Sequence, residues 1–332
     1  MRTRRLGWTG LELSVIGLGT WAMGGGDWAY GWGPQDEADS IATIKRAMAL
    51  GINWIDTAAA YGLGRSEEVI GRTLKGMSEP PVIATKCGLL WNDDGSVYGY
   101  LKPESIRREA EESLRRLGVE RIDLYQIHWP NPPEDIEGAW EMLLRLVDEG
   151  KIRYPAVCNF PVAYLERIRR LDPPASLQPP YSMLQRDTEF DLLPYCATHH
   201  MGVVAYSPMA RGMLTGAMTA KRLAILPESD HRRNDRRFRQ PMLGIDLALI
   251  EDLKPIARDN GMSLAQLALA WVLRRPEVTS AITGARRPEQ IEETAAAGGI
   301  ELPDDAARTI DELLAERERR MAAAIEDYSP RT

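Results

Sequence analysis

The sequence predicts an α/β protein, a single (β/α)8 TIM barrel over residues 1–332 with an N-terminal β-hairpin and extra helices toward the C-terminus. Short apolar runs that stop at a polar residue alternate with helical patterns that stop at a glycine. Most of the polar stops are separated by close to the ~30 residues of one strand–helix unit, and eight such units make a barrel of ~250 residues. A doubly wound open sheet is the alternative. In either fold, ligands bind at the carboxyl ends of the strands. The polar stops are Asp56, Lys86, His128, Asn159, Gln178, Ser207 and Gly284.

The composition favours a small-molecule partner over a nucleic acid or a membrane. Of 332 residues, 44% are hydrophobic and 27% are charged, and the formal net charge is −7. This balance provides no basic field for nucleic acid or anionic lipid. No run of 18 apolar residues could form a transmembrane helix, and the basic residues 1–5 have no apolar stretch behind them, as a signal peptide requires. We therefore expect a cytoplasmic protein, whose oligomeric state these patterns do not predict.

The cysteines and histidines show no metal-binding pattern. Cys87, Cys158 and Cys196 are odd in number and widely spaced, which indicates reduced thiols. The only closely spaced histidines are the adjacent His199 and His200, which make a poor chelating pair on a helix. The sequence therefore predicts no metal site.

The elements can be followed in order from the N-terminus. Residues 11–15 alternate as one arm of a hairpin does, and residues 16–21 form a short strand bounded by glycines. Helical patterns occupy residues 36–50, 103–117 and 136–147, with glycines close behind each of them. Such glycines supply the left-handed residue that turns a helix into the next strand. The long interval after Ser207 holds a basic loop at 232–239 and a helix near 263–273, which Ser263 and Gln266 begin with a capping box.

The chemistry centres on residues 51–61, where an apolar strand ends at Asp56 and Tyr61 follows. A buried carboxylate is costly without a cation partner. Lys86 offers one at the end of the next apolar run, and the run after that stops at His128. A purely structural ion pair would account for two of these four residues and leave the other two to chance. We therefore interpret the four residues as a catalytic arrangement at the strand ends.

Motifs along nearly the whole chain resemble the aldo-keto reductase superfamily, in particular the bacterial branch related to the potassium-channel β subunits. Each motif is weak alone, but their order and spacing together are specific. The stretches that carry the resemblance are residues 56–62, 85–86, 126–130, 159–160, 178 with 181–182, 205–208, 211–216 and 284–286.

The resemblance implies reduction of an aldehyde or ketone by hydride from NADPH, without a metal. It makes Tyr61 the general acid for the developing alkoxide. Lys86 is expected to lower the pKa of this phenol from ~10, and Asp56 to hold Lys86 charged and in place. His128 is expected to polarise the carbonyl oxygen and to orient the substrate.

The resemblance also implies a site for NADPH/NADP+. Asn159 and Gln178 hold the nicotinamide carboxamide, and Tyr206 stacks on the ring. The loop that begins at Ser207 binds the pyrophosphate through its backbone, and Arg286 binds the 2′-phosphate together with free amides at a helix N-terminus. No Gly-x-Gly-x-x-Gly loop of the Rossmann type is present. The residues implied for cofactor binding are Asn159, Gln178, Tyr206, Ser207, Leu214, Gly216, Gly284, Arg286, Gln290 and Glu293.

Substrate specificity is expected from the loops after the strands, at residues 21–35, 88–101, 129–135 and 219–245. Their aromatic residues favour aromatic or extended aldehydes. The arginines at 232–239 suit either a solvated loop or a clamp over the cofactor phosphates. The tryptophans expected to line the substrate mouth are Trp21, Trp28, Trp91 and Trp129.

Three positions depart from the family pattern, and two other functions compete with carbonyl reduction. Cys158 replaces a hydroxyl that normally helps to hold the carboxamide, Thr283 replaces a proline, and Thr294 replaces an asparagine that contacts adenine. A redox-sensing NADPH-binding regulatory subunit would keep the fold and the cofactor. A Schiff-base aldolase would use Lys86 as its nucleophile, which a salt bridge to Asp56 disfavours.

Overall fold

The computed structural model describes residues 1–26 and 28–328. The strands are β1 (Thr3–Arg5), β2 (Glu12–Ser14), β3 (Ile16–Gly19), β4 (Trp54–Asp56), β5 (Val82–Cys87), β6 (Leu89–Trp91), β7 (Val97–Gly99), β8 (Ile122–Ile127), β9 (Ile152–Cys158), β10 (Ser176–Gln178), β11 (Gly202–Ala205) and β12 (Ser280–Gly284). The helices are α1 (Glu37–Ala49), α2 (Arg65–Leu74), α3 (Pro103–Leu117), α4 (Ile136–Asp148), α5 (Val162–Arg169), α6 (Leu192–Thr198), α7 (Ala220–Ala224), α8 (Met242–Asp259), α9 (Leu264–Leu273), α10 (Pro288–Ala295) and α11 (Asp304–Tyr328).

Eight strands form a closed parallel barrel in the order β3-β4-β5-β8-β9-β10-β11-β12, and β12 pairs with β3 to close it. The predicted (β/α)8 barrel is thus confirmed, and the open sheet is wrong. The barrel strands are buried on both faces, as parallel strands under a layer of helices are. Extra helices α7, α8 and α9 occupy the long interval between β11 and β12.

The helix boundaries follow the local signals. Gly118 ends α3 in the left-handed conformation with φ of 68°, and its N–H donates to Leu114 O. The expected capping box at α9 is present, since Ser263 Oγ accepts from Gln266 N and Gln266 Oε1 accepts from Ser263 N. Such caps satisfy amides that have no partner inside the helix.

The N-terminal hairpin β1–β2 closes one end of the barrel. Its side chains Leu6, Leu11 and Leu13 are buried in one apolar cluster with the barrel residues Trp54 and Leu124. The indole nitrogen of Trp54 donates to Ser14 O at 3.1 Å, which ties the hairpin to the barrel interior. This end is therefore dry, and the opposite, carboxyl end of the strands is left for a site.

The stretch 88–101, expected as a loop, contains a second hairpin, β6–β7. Gly95, with φ of 78°, turns the chain after Asp94, and Asn92 N donates to Ser96 O at 2.9 Å. Asp-Gly between apolar residues is a strong hairpin signal that the sequence interpretation missed.

Candidate active site

The polar stops of the strands converge at the carboxyl end of the barrel. Asp56 ends β4, Lys86 is the penultimate residue of β5, and His128 directly follows β8. All seven stops except the buried Lys86 line one cavity of about 1370 Å³. Asn159 follows β9, Gln178 ends β10, Ser207 lies two residues beyond β11, and Gly284 ends β12.

Lys86 lies at the centre of the candidate catalytic group and uses three hydrogen-bond donors. Its Nζ donates to Asp56 Oδ2 at 2.7 Å, to Thr57 O at 2.9 Å and to Tyr61 Oη at 3.2 Å. The side chain of Lys86 is 0% exposed and that of Asp56 is 4% exposed. The ammonium is therefore fixed in one position, directed at the phenol.

The second oxygen of Asp56 is also occupied. Gln178 Nε2 donates to Asp56 Oδ1 at 2.8 Å, and Gln126 Nε2 lies 3.4 Å from the same oxygen. Gln178 Nε2 also lies 3.2 Å from Gln126 Oε1. The amide expected to meet the nicotinamide thus also orients Asp56 through its nitrogen. Gln126 begins the stretch 126–130 that carries part of the family resemblance, but only the fold places it beside the carboxylate.

The ionisation states follow from burial and from this pairing. Burial lowers the pKa of Lys86, but Asp56 beside it more than offsets this effect, so the pKa lies above its ordinary value. Burial raises the pKa of Tyr61, and Lys86 opposes the rise without cancelling it. The expectation of a lowered phenol pKa is therefore wrong. The reason is that burial of the phenol outweighs the lowering effect of Lys86, which Asp56 also opposes.

His128 faces the phenol as a neutral imidazole. Its ring centroid lies 5.9 Å from that of Tyr61 at an interplanar angle of 75°. Burial, reinforced by the charge of Lys86, holds the pKa of His128 well below its ordinary value. A neutral imidazole carries one N–H donor, so His128 can offer a hydrogen bond to an oxygen beside the phenol.

Next to the catalytic group, Asn159 and Tyr206 are bonded to each other. Tyr206 Oη donates to Asn159 Oδ1 at 2.9 Å, and Asn159 Nδ2 donates to His128 O at 2.9 Å. Cys158 lines the cavity beside them, and burial raises the pKa of its thiol. Asn159 adopts a left-handed backbone with φ of 61°, as does Ser207 with φ of 53°. Such backbone strain in non-glycine residues is concentrated at functional sites.

The loop after β11 lies along the middle of the cavity. Ser207, Gly212 and Thr215 line the cavity, whereas Leu214 is buried and neither it nor Gly216 is a lining residue. Arg211 has φ of 56° and its Nη1 donates to Asp235 Oδ2 at 2.6 Å. The loop is thus held against the cavity, and most of residues 206–212 line it.

The far end of the cavity is lined by Gly284, Arg286, Gln290 and Glu293, as expected. The backbone amides expected to be free there are not free. Arg286 N donates to Gln290 Oε1 at 2.7 Å, and Arg287 N lies 3.2 Å from the same oxygen. Gln290 therefore caps its own helix, because these amides have no acceptor within α10.

The mouth of the cavity is aromatic. Trp21, Trp28 and Trp129 line it, while Trp91 is not a lining residue although it lies on the β6–β7 hairpin. The ring centroid of Trp21 lies 6.3 Å and that of Trp28 6.1 Å from the ring of Tyr61. Tyr30 and Trp32 add two more aromatic side chains to the lining.

The basic loop at 232–239 meets the loop after β3 across the cavity. Arg232 lines the cavity, is paired with Asp230 at 2.6 Å, and lies with its guanidinium carbon 4.4 Å from the ring centroid of Trp32. His231 N donates to Gly31 O at 3.1 Å. At least this part of the basic segment is therefore packed against the cavity wall.

Within residues 1–26 and 28–328, no three His, Cys, Asp or Glu side chains are grouped to hold a metal ion. No helix within the same ranges is long and apolar enough to cross a membrane.

Comparison with known proteins identifies the family. A model described as the Aldo/keto reductase family matches residues 15–315. The chain is 38% identical over 309 residues to the aldo-keto reductase YhdN of Bacillus subtilis, which covers 92% of this chain and 91% of that protein. It is 36% identical over 333 residues to the NADH-specific methylglyoxal reductase of Escherichia coli, covering 96% of this chain and 100% of that protein.

Solved structures agree with this assignment. The glycerol dehydrogenase AKR11B4 from Gluconobacter oxydans superposes with a TM-score of 0.86 at 38% identity and 95% coverage of both chains. The aldo-keto reductase AKR11C1 from Bacillus halodurans gives a TM-score of 0.77 at 26% identity, covering 94% of this chain and 96% of that chain. With the family match spanning residues 15–315, the chain belongs to the aldo/keto reductase family.

Proposed function

We propose that this oxidoreductase reduces an aldehyde or ketone to an alcohol with NADPH, and that Tyr61 supplies the proton. The observation that supports this most is the hydrogen-bonded chain from Asp56 through Lys86 to Tyr61 at the cavity wall, with lengths of 2.7 and 3.2 Å. A proton donor coupled to a fixed cation is suited to a reaction in which negative charge develops on oxygen.

The nicotinamide cofactor supplies the hydride, and the protein supplies the proton and the electrostatic field. Tyr61 remains protonated at neutral pH because burial raises its pKa, so the donor form is always present. As the proton leaves, phenolate character develops 3.2 Å from Lys86 Nζ, and the ammonium stabilises it. Asp56, held by Gln178, keeps that ammonium charged and directed at the phenol.

His128 is proposed to hold the substrate oxygen. Its neutral ring can donate one hydrogen bond without placing a second cation beside Lys86. The aromatic side chains around Tyr61 exclude water from the substrate oxygen. This strengthens the hydrogen bonds that Tyr61 and His128 are proposed to donate to that oxygen. This shell supports a small or flat carbonyl substrate.

The cavity fits a dinucleotide together with a substrate. Pockets for small ligands are typically ~300–1,000 Å³, and this cavity of about 1370 Å³ exceeds them. It extends from Tyr61 to Arg286, so a nicotinamide near Asn159 would place its adenosine end among arginines. Arg286 favours NADPH, whereas the name of the Escherichia coli relative specifies NADH, so both nucleotides belong in the test.

The aldolase alternative is disfavoured by the state of Lys86. A Schiff base needs a neutral amine, and the pKa of Lys86 is raised by Asp56 at 2.7 Å. Reduction with borohydride in the presence of a carbonyl substrate would leave a permanent adduct on Lys86 only in an aldolase.

The test of the proposed function combines nucleotide binding with turnover. We expect NADPH to quench the tryptophan fluorescence of the protein and to be oxidised when a small aldehyde is added. Tyr61→Phe should bind the nucleotide as tightly as wild type but lose about 10²–10⁴-fold in kcat, the usual contribution of a general acid. Tyr30→Phe, on another lining tyrosine that is 51% exposed, is the matched control and should keep full activity. Full activity of Tyr61→Phe would refute the proposal, and nucleotide binding without turnover of any carbonyl would favour the regulatory subunit.

A further inference from the structure

Arg286, the residue expected to bind the 2′-phosphate of NADPH, has every nitrogen of its guanidinium occupied by one loop. Its Nε donates to Gln35 Oε1 at 2.6 Å, its Nη1 donates to Trp32 O at 3.1 Å, and its Nη2 donates to Pro34 O. All three acceptors belong to residues 32–35, which lie between β3 and α1 and line the same cavity in part.

Gln35 returns a hydrogen bond to the same residue. Its Nε2 donates to Arg286 O at 3.0 Å, so side chain and backbone of Arg286 are held by one amide. The same nitrogen also lies 3.1 Å from Ser40 Oγ. Gln35 is only 8% exposed, although it lines the cavity. No motif pointed to this residue.

The loop is also fixed on its other sides. Arg65 Nη2 donates to Gln35 O at 3.2 Å, and Trp32 forms a β-bridge with Asp230. Because these contacts anchor residues 32–35 independently of Arg286, it is easier for the guanidinium to leave the loop than for the loop to move away.

A phosphate is bound best by two guanidinium donors at once, and the loop engages three of the five N–H donors of Arg286, including its single Nε–H. The neighbouring Arg287 is more available, since its side chain is 64% exposed and its carboxylate partner, Glu289, lies 3.9 Å away. The edge of the guanidinium that carries Nε can therefore bind the 2′-phosphate of NADPH only after its contact with Gln35 is broken. NADH carries no such phosphate and leaves the contact intact.

We propose that Gln35 determines cofactor preference in this enzyme, by competing with the 2′-phosphate for the guanidinium of Arg286. Gln35 is a positioning residue that acts through Arg286, and the inference rests on the proposed nicotinamide-dependent function. The competition lowers the affinity for NADPH relative to NADH and does not alter the catalytic group around Lys86.

Two substitutions of Gln35 give opposite expectations. Gln35→Ala removes the acceptor, so the affinity for NADPH should rise about tenfold relative to NADH, the order of one hydrogen bond to a charged group. Gln35→Glu places a carboxylate against Arg286, which strengthens the competing contact and repels the phosphate. The affinity for NADPH should then fall about tenfold or more, with that for NADH unchanged. Loss of a merely structural contact would shift both variants in the same direction.

The experiment measures the dissociation constants of NADPH and NADH by tryptophan quenching for wild type, both Gln35 variants and Ser40→Ala. Ser40→Ala removes another partner of the Gln35 amide but leaves Arg286 untouched, so its NADPH/NADH affinity ratio should match wild type. Thermal unfolding of each variant checks that it is folded.

The outcomes separate the inference from the function on which it rests. Opposite shifts in Gln35→Ala and Gln35→Glu would support the proposal. The proposal would be overturned if the NADPH/NADH affinity ratio stayed at the wild-type value or moved in the same direction in both Gln35 variants. It would also be overturned if the ratio moved as far in Ser40→Ala. None of these results would contradict the proposed function. A wild-type protein that binds neither nucleotide would overturn both.

Discussion

The two ends of the cavity are built on different principles. At the proposed catalytic end, Asp56 and Lys86 lie on strands, and the polar groups around Lys86 are hydrogen-bonded to one another. At the proposed nucleotide end, Arg286 lies beyond a strand and Gln290 at the start of a helix, and their partners are loop carbonyls and the nearby backbone. At the first end, the polar groups are hydrogen-bonded to one another in the arrangement that the reaction would use. At the second end, the groups proposed to bind the nucleotide are hydrogen-bonded to neighbouring protein groups.

This difference has a physical meaning for how each end meets its ligand. Preorganised groups need no rearrangement when charge develops, which is what the proton donor requires. Groups that must break a hydrogen bond within the protein before they bind a ligand do so at the expense of part of the ligand's binding energy. The affinity of such a site therefore depends on the protein group that is displaced. Selectivity is therefore expected to change at the nucleotide end with little effect on chemistry.

The largest expected effect tests whether the catalytic end is held by its ion pair. Lys86→Met leaves Asp56 buried without its cation and should lower the free energy of unfolding by about 3–5 kcal/mol. The control Lys102→Met breaks the pair between Lys102, whose side chain is 47% exposed, and Asp135 at 2.8 Å. It should cost much less than Lys86→Met, because solvent screens an exposed pair. Urea unfolding measures both, and equal losses would show that burial of the pair is not what matters.

A smaller effect tests the substitute contacts at the nucleotide end. Gln290→Ala exposes the amides of Arg286 and Arg287 and should lower the free energy of unfolding by about 1 kcal/mol, as loss of a helix cap does. The control Asp191→Ala removes a cap from α6, none of whose residues lines the cavity, and should cost a similar amount. Only Gln290→Ala should also change the dissociation constant of the nucleotide. An unchanged constant would remove Gln290 from the proposed cofactor site.

The smallest expected effect is a flat pH profile. The proton donor must be protonated, so activity is lost only as pH rises through the raised pKa of Tyr61, beyond about 10. The pKa of His128 lies well below its ordinary value, so the histidine does not titrate near pH 6.5. We expect kcat/KM for carbonyl reduction to vary by less than about twofold between pH 6 and 8 at constant ionic strength. A change in kcat/KM centred near pH 6.5 would mean that His128 gains a proton between pH 6 and 8.

The barrel and the catalytic group could be predicted because both are encoded by residues near strand ends. Parallel strands bring their carboxyl ends to one side, so Asp56, Lys86 and His128 had to lie together once each was assigned to a strand. The topology determines on which side of the barrel the site lies, and the residue types at that side then suggest the chemistry.

The hydrogen-bond partners could not be predicted in the same way. The pairing of Gln178 with Asp56 depends on side-chain rotamers inside the barrel, and that of Arg286 with residues 32–35 depends on the path of a loop. Residue types also gave the wrong sign for the pKa of Tyr61, since the outcome depends on how far burial outweighs the paired charges around it. The hydrogen-bond partners and the pKa of Tyr61 depend on three-dimensional packing, which residue types alone do not determine.

Closure of the barrel has a consequence for its synthesis. Strand β3 emerges early, yet its partner β12 lies at the other end of the chain, and the bond from Thr283 Oγ1 to Gly17 O joins residues 266 positions apart. At ~5–20 residues per second, a ribosome takes on the order of tens of seconds to translate the intervening segment. Until then the edges of β3 and the unfinished sheet remain unpaired and prone to sticking to other chains. The nascent protein is thus most exposed to aggregation before its last strand appears, and a chaperone that shields it at that stage should raise its yield.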